Sequence, residues 1–164
     1  MKVVNVHERF IPHSAYDVGQ LLRTLASDDD RIWPNGDWPA MQFDRPLQVG
    51  ATGGHGPIGY FVEEYVPGDR IVFHFLRPKG FNGTHGFYVI PKDEGCILRH
   101  EMRMRASFTS TFQWIFVFRP LHDALLEDAL YKAAGNFGNP GSAPRWSWFV
   151  KFLRNRLRKK RQRS

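Results

Sequence analysis

The spacing of apolar residues changes period along the chain, and each change marks an element. Residues 2–11 alternate, with Val4, Val6 and Phe10 on one face, which predicts a half-buried strand. Pro12 stops it. Ser14 is placed to cap a helix in which Val18, Leu21, Leu22 and Leu25 recur at helical spacing before the acidic run Asp28–Asp30. Residues 33–46 are rich in Pro, Gly, Trp and Asp and predict an ordered irregular loop with aromatic anchors. Strand signals then repeat over 47–52, 58–66, 70–77, 84–91 and 96–106, separated by Gly53-Gly54, Pro67-Gly68-Asp69, residues 79–83 and residues 92–95, which are hairpin chemistry. The period returns to 3.6 between Phe118 and Phe137. Pro120 suits the first turn of this helix and Gly138 its end, with Leu121, Leu125, Ala129 and Ala133 on the apolar arc and Asp123, Glu127 and Asp128 opposite.

These elements describe an α+β fold in which a curved antiparallel sheet wraps around a long C-terminal helix. With 164 residues the chain has the length of one domain. The expected organisation is a ligand-binding domain over 1–138, a linker over 139–144 rich in Pro and Gly, and a basic tail over 145–164. Aromatic residues make up 15% of the chain, a load that must be packed, line a cavity or remain at an interface. The one cysteine, Cys96, excludes an internal disulfide and a cysteine zinc site. Charged Glu8 and Arg9 follow soon after Met1, without the apolar segment of a secretory signal, and no apolar run approaches the roughly 20 residues of a membrane span. A cytoplasmic protein is expected.

Charge divides sharply by position. The net +7 arises because residues 145–164 hold nine basic side chains and no acid, which leaves 14 basic and 16 acidic residues in 1–144, a net of −2. The body is therefore not a basic nucleic-acid-binding domain, and specific nucleic-acid binding is not expected. In the tail, Trp146, Phe149, Val150, Leu153 and Leu157 form one helical stripe flanked by Arg154, Arg158 and Arg161. Such a basic amphipathic helix suits an anionic membrane surface, with Trp146, Phe149, Leu153, Arg154 and Arg158 in contact. Equally, it suits docking on the body or on the mate of a homodimer.

Phe10-Ile11-Pro12 leading into the first helix, Ile32-Trp33-Pro34 after it, residues 66–71 (VPGDRI), residues 83–87 (GTHGF), Ile90-Pro91 and the long last helix together resemble the START-related helix-grip superfamily (SRPBCC), whose members include birch-pollen-allergen-like and polyketide cyclase or dehydrase-like proteins. The resemblance covers about residues 3–137 and implies the helix-grip fold with a hydrophobic cavity. It also permits a cyclase, aromatase or dehydratase activity.

Within the strand 96–106, Leu98, His100, Met102, Met104 and Ala106 share one face, so His100 points inward. His122 sits on the apolar arc of the last helix and looks into the same space. Two inward imidazoles suit binding a polar ligand group or exchanging protons with it, and they also suit satisfying backbone carbonyls in the core. His74 and His85 lie on strands whose inward parity stays open between Phe73/Phe75 and Val72/Leu76. Glu63 and Glu64 are adjacent in a strand and cannot form a dyad. The glycines between 50 and 59 lack a phosphate-loop ending and read as a flexible strand connection. No His pair has helical metal spacing, so neither a metal nor a cofactor is expected. The expected function is the binding of a hydrophobic or aromatic small molecule, or a lipid, with Met102, Met104, Trp114, Phe118 and Leu125 lining the cavity and His100 and His122 fixing a polar end. The alternative is an enzyme of the cyclase, aromatase or dehydratase type on a polyketide-like substrate, with His100 or His122 moving protons.

Overall fold

Hairpin turns and alternating strands build seven strands, β1 (Lys2–Ile11), β2 (Gln42–Phe43), β3 (Thr52–His55), β4 (Ile58–Val66), β5 (Arg70–Arg77), β6 (Phe81–Lys92) and β7 (Gly95–Ala106). The computed structural model describes residues 1–138 and 140–161, the last four of them by backbone alone. The strands form one antiparallel sheet in the order β1-β7-β6-β5-β4-β3-β2, so the first strand closes beside the last, Lys2 opposite Arg105 and Ile11 opposite Cys96. Irregular register between Val62 and Glu64 bends β4, as bulges do. The glycine-rich segment is strand rather than loose connection, because β2 lies over it. A Cβ on Gly53 would come within 1.9 Å of the Gln42 carbonyl oxygen.

Helix α1 (Ala15–Leu22) starts where Ser14 Oγ accepts a hydrogen bond from the Asp17 amide at 3.1 Å. It crosses the turn between β4 and β5 so closely that a Cβ on Gly19 would meet the Gly68 carbonyl oxygen at 2.0 Å.

The terminal helical region begins ten residues before the expected start at Phe118. Helix α2 (Phe108–Gln113), capped by Ser107, runs through a π-helical turn at Trp114–Phe118 into α3 (Arg119–Gly135). Pro120 explains the wide turn. Proline has no N–H and its ring crowds the carbonyl four residues earlier, so the adjacent Arg119 N–H bonds five residues back, to Trp114.

The concave face of the sheet and α3 enclose the core, with Leu22, Leu25, Ile71, Phe73, Phe87, Leu98, Leu126 and Leu130 almost fully buried. Helix α4 (Trp148–Arg161) enters this core at Val150, which is 5% exposed, so part of the apolar stripe of the basic tail packs on the body. Among the described residues no helix is long and apolar enough to cross a membrane.

Strand β1 reverses the expected parity. Val4, Val6 and Phe10 face outward, and Val3, Asn5, His7, Arg9 and Ile11 face in. The acidic edge of α3 lies over β1 and decides this: Asn5 Nδ2 donates to Asp123 Oδ1 at 2.9 Å, and Arg9 lies 3.6 Å from Glu127. Polar complementarity across the layer outweighs the apolar alternation of this edge strand.

Candidate functional site

Residues that pair across an antiparallel sheet share a face. Phe73 of β5 stands opposite His85 of β6, and Phe87 of β6 opposite His100 of β7. Phe73 and Phe75 are the inward residues of β5, so His85 is inward and 5% exposed, while His74 points out toward Glu63. Cross-strand parity was thus the signal for His85. Neither Glu63 nor Glu64 reaches the interior; Glu64 accepts from Arg70.

His85 Nδ1 lies 3.3 Å from His100 Nε2, and the His100 ring lies 5.2 Å from that of His122 on α3. On the other side, His85 meets Tyr60 at 4.8 Å, and Tyr60 hydroxyl is 3.0 Å from His55 Nδ1. A row of imidazoles and one phenol therefore crosses the interior from α3 to β3. It borders a largely apolar cavity of about 100 Å³, whose walls include Trp33, Trp38, Phe75, Phe81, Met102, Trp114, Phe118, Leu121 and Leu125.

Three imidazole nitrogens are buried without a partner: His85 Nε2, His100 Nδ1 and His122 Nδ1. Burial pushes the pKa of His85 and His100 well below the ordinary value and lowers that of His55 to about 3. His122 is also lowered by burial, against the opposing pull of Asp123. Burial likewise pushes the Tyr60 hydroxyl far up. The cavity thus holds neutral imidazoles, each with one N–H donor and one acceptor nitrogen.

Of the residues expected from sequence, His100, Met102, Trp114, Phe118, His122 and Leu125 line this cavity. Met104 does not. It lies one alternation farther along β7 and packs with Val3, Phe75, Phe81 and Trp114 in a second apolar cluster. Sequence reasoning missed His55, Trp33 and Trp38, which lie on the irregular and glycine-rich segments. Asp30 anchors that loop, its Oδ1 accepting from the amides of Ile32 and Trp33, while Lys132 of α3 donates to the carbonyls of Asp30 and Trp33.

The C-terminal segment closes the same side. Asp128 Oδ2 accepts from the indole of Trp38 at 2.7 Å and from that of Trp146 at 2.8 Å. The Arg154 guanidinium stacks 3.7 Å over Trp146 and donates to the Asp37 carbonyl. Leu153 packs against the core, Leu157 reaches the cavity wall, and Phe149 is half-buried. Trp146, Leu153 and Arg154 are therefore engaged by the body. Arg158's side chain lies outside the described residues. Trp148 and Phe152 are exposed on the outer side of the helix.

No family model and no curated protein matches the chain. Solved structures do. A protein from Thermobifida fusca matches with a TM-score of 0.62 at 17% identity, covering 89% of this chain and 99% of that one. Norcoclaurine synthase from Thalictrum flavum, solved in complex with dopamine and hydroxybenzaldehyde, matches with a TM-score of 0.61 at 13% identity, covering 88% and 90%. CalU16 from Micromonospora echinospora matches with a TM-score of 0.56 at 11% identity, covering 97% and 84%. The likeness shows the helix-grip fold that the sequence resemblance implied.

Proposed function

We propose that this helix-grip protein holds an aromatic or otherwise apolar small molecule with one polar group in the cavity between the sheet and α3. The observation that carries the reading is the pair of unpartnered nitrogens on His85 and His100 in apolar surroundings. A buried polar atom left unsatisfied costs about 1–3 kcal/mol, which a ligand hydroxyl or carbonyl would recover. A dry apolar cavity of about 150 Å³ takes up benzene, so the smaller space here, about 100 Å³, limits the ligand to one small ring and requires the walls to yield slightly around it. Norcoclaurine synthase, with its single-ring amine and aldehyde, supports that class. A lipid chain would require Leu157 and α4 to move. Native mass spectrometry of the purified full chain, followed by solvent extraction, tests the reading. A bound molecule carrying a ring and an oxygen function is expected; a protein that never binds such molecules, even when offered them in excess, overturns it.

Proton transfer is the second reading, favoured because the imidazoles face the cavity and none is hydrogen-bonded to backbone. A neutral imidazole beside a bound carbonyl compound takes a proton from the adjacent carbon and returns one, the step common to cyclisation and dehydration. With acetophenone as probe, exchange of its methyl hydrogens in D2O should exceed the buffer rate and fall at least tenfold in His100→Gln or His122→Gln. Exchange at the buffer rate refutes it.

Contact with an anionic lipid surface is assigned to the outer face of α4, where Trp148 and Phe152 are exposed beside Lys151 and Arg156. Cosedimentation with anionic but not neutral vesicles is expected. Unchanged binding by a W148A/F152A variant, or a dimer formed through this face, contradicts the assignment.

A further inference from the structure

Behind the cavity, where β1 passes under α3, three potential metal ligands meet. His7 Nε2 lies 3.1 Å from Asp123 Oδ1, and His122 Nδ1 lies 3.8 Å from the same oxygen, with all three atoms within 4.8 Å of one another. We infer that His7, His122 and Asp123 form a binding site for a divalent first-row transition ion such as Zn²⁺ or Fe²⁺.

Two imidazoles and one carboxylate are a donor set for such ions rather than for Mg²⁺ or Ca²⁺, which prefer oxygen. Ligand bonds of about 2.0–2.2 Å around a tetrahedral ion place neighbouring ligand atoms roughly 3.3 Å apart. The two separations from Asp123, 3.1 and 3.8 Å, bracket that value, and rotation of the His122 ring is the movement that closes the site.

Three further observations point the same way. His122 Nδ1 is buried and has no hydrogen-bond partner, although it faces this carboxylate. Asn5 Oδ1 is likewise buried and unpartnered, while the other end of the amide touches Asp123. Turning that amide over offers the ion a neutral oxygen as fourth ligand. Finally, the second nitrogen of His7, Nδ1, lies 2.9 Å from Glu127 Oε1, the carboxylate–histidine arrangement that orients metal-bound imidazoles.

The neighbouring charges permit a dication. Asp123 and Glu127 carry two negative charges; Arg9 stands 3.6 Å from Glu127 and Arg119 3.6 Å from Asp123, the latter half-open to water. On binding, the ion takes the place of the proton on His7 Nε2, which passes to solvent. The site joins two layers of the fold, and its ligand His122 is also a cavity wall. The ion would thus fix the orientation of one imidazole that faces the ligand.

The test uses the full chain without any affinity tag, titrated with Co²⁺ and followed by its visible absorption and by calorimetry. One equivalent should bind, with an intense spectrum of low coordination number. His7→Ala and Asp123→Asn should each weaken binding at least tenfold, and Glu127→Gln should weaken it about tenfold. The surface variant His74→Ala should bind as the wild type does. Should His7→Ala fail to fold, the Co²⁺-loaded wild type decides: its hyperfine-shifted proton spectrum must contain signals from two histidine rings. No binding by the folded wild type, shifted signals from fewer than two imidazoles, or binding lost in His74→Ala but kept in His7→Ala overturns the site.

Discussion

One carboxylate, Asp128, accepts both indole N–H groups that fasten the C-terminal segment to the loop carrying Trp38. The helical period places Asp128 on the polar side of α3, and a polar side is ordinarily left to water. What covers that side is decided by residues distant in sequence, Trp38 and Trp146, so the role of Asp128 was not legible. Asp128→Ala should destabilise the protein by about 2 kcal/mol, since bonds to charged acceptors contribute about 1.5–3 kcal/mol each and partial exposure lets water replace them in part. Asp128→Asn, which keeps an acceptor, should lose less. Urea unfolding monitored by circular dichroism measures both. Equal stability of Asp128→Ala and the wild type would show that the indole bonds add nothing. By contrast, His100 and His122 were legible as inward residues, because an unbroken alternation in β7 and the apolar arc of α3 each fix direction locally. His85 needed knowledge of its partner strand, since its own segment is ambiguous without Phe73.

Among the elements, β1 and α4 were read less well than β7. The unbroken alternation of β7 reports burial because both neighbours and the helix layer demand it, whereas β5 and β6 take their direction from the pairing of Phe73 with His85. Strand β1 lies at the sheet's edge under the charged side of α3, and there Asn5, His7 and Arg9 are the complementary face. Helix α4 was legible as an amphipathic helix, but the stripe does not say what it packs on. Val150 in the core and Leu157 on the cavity wall identify the body as one occupant. Deleting the chain after Pro144 should therefore lower the melting temperature and increase binding of an apolar fluorescent dye. The smaller change Val150→Ala should cost about 1.5 kcal/mol, from two methyl groups removed from a buried position. A truncated protein that melts and binds dye like the full chain would show that α4 contributes nothing to the fold.

At the scale of the whole molecule, a curved sheet closed on a helix creates an interior too large for its side chains to fill, and the sequence lines it with aromatic rings and neutral imidazoles. That lining makes stability depend on acidity. His55 and His85 stay neutral in the folded protein because burial lowers their pKa, whereas in the unfolded chain they titrate near 6.5. Below about pH 6.5 the unfolded state binds protons that the folded state refuses, so stability is fully present above that value and declines as pH falls toward about 3. Melting curves from pH 7.5 to 4.5 should record this decline, and His85→Gln should make it shallower. A flat profile would mean that the interior is open to water. The central claim, that the unpartnered imidazole nitrogens of His85 and His100 receive a ligand's polar group, is tested most directly by imidazole ¹⁵N spectra of His85 and His100 during titration with phenol and, separately, benzene. The two probes share a ring and differ by one hydroxyl. Phenol should shift at least one of these nitrogens and bind at least tenfold more tightly than benzene. Equal affinity for the two probes, with no imidazole shift from phenol, would contradict the account.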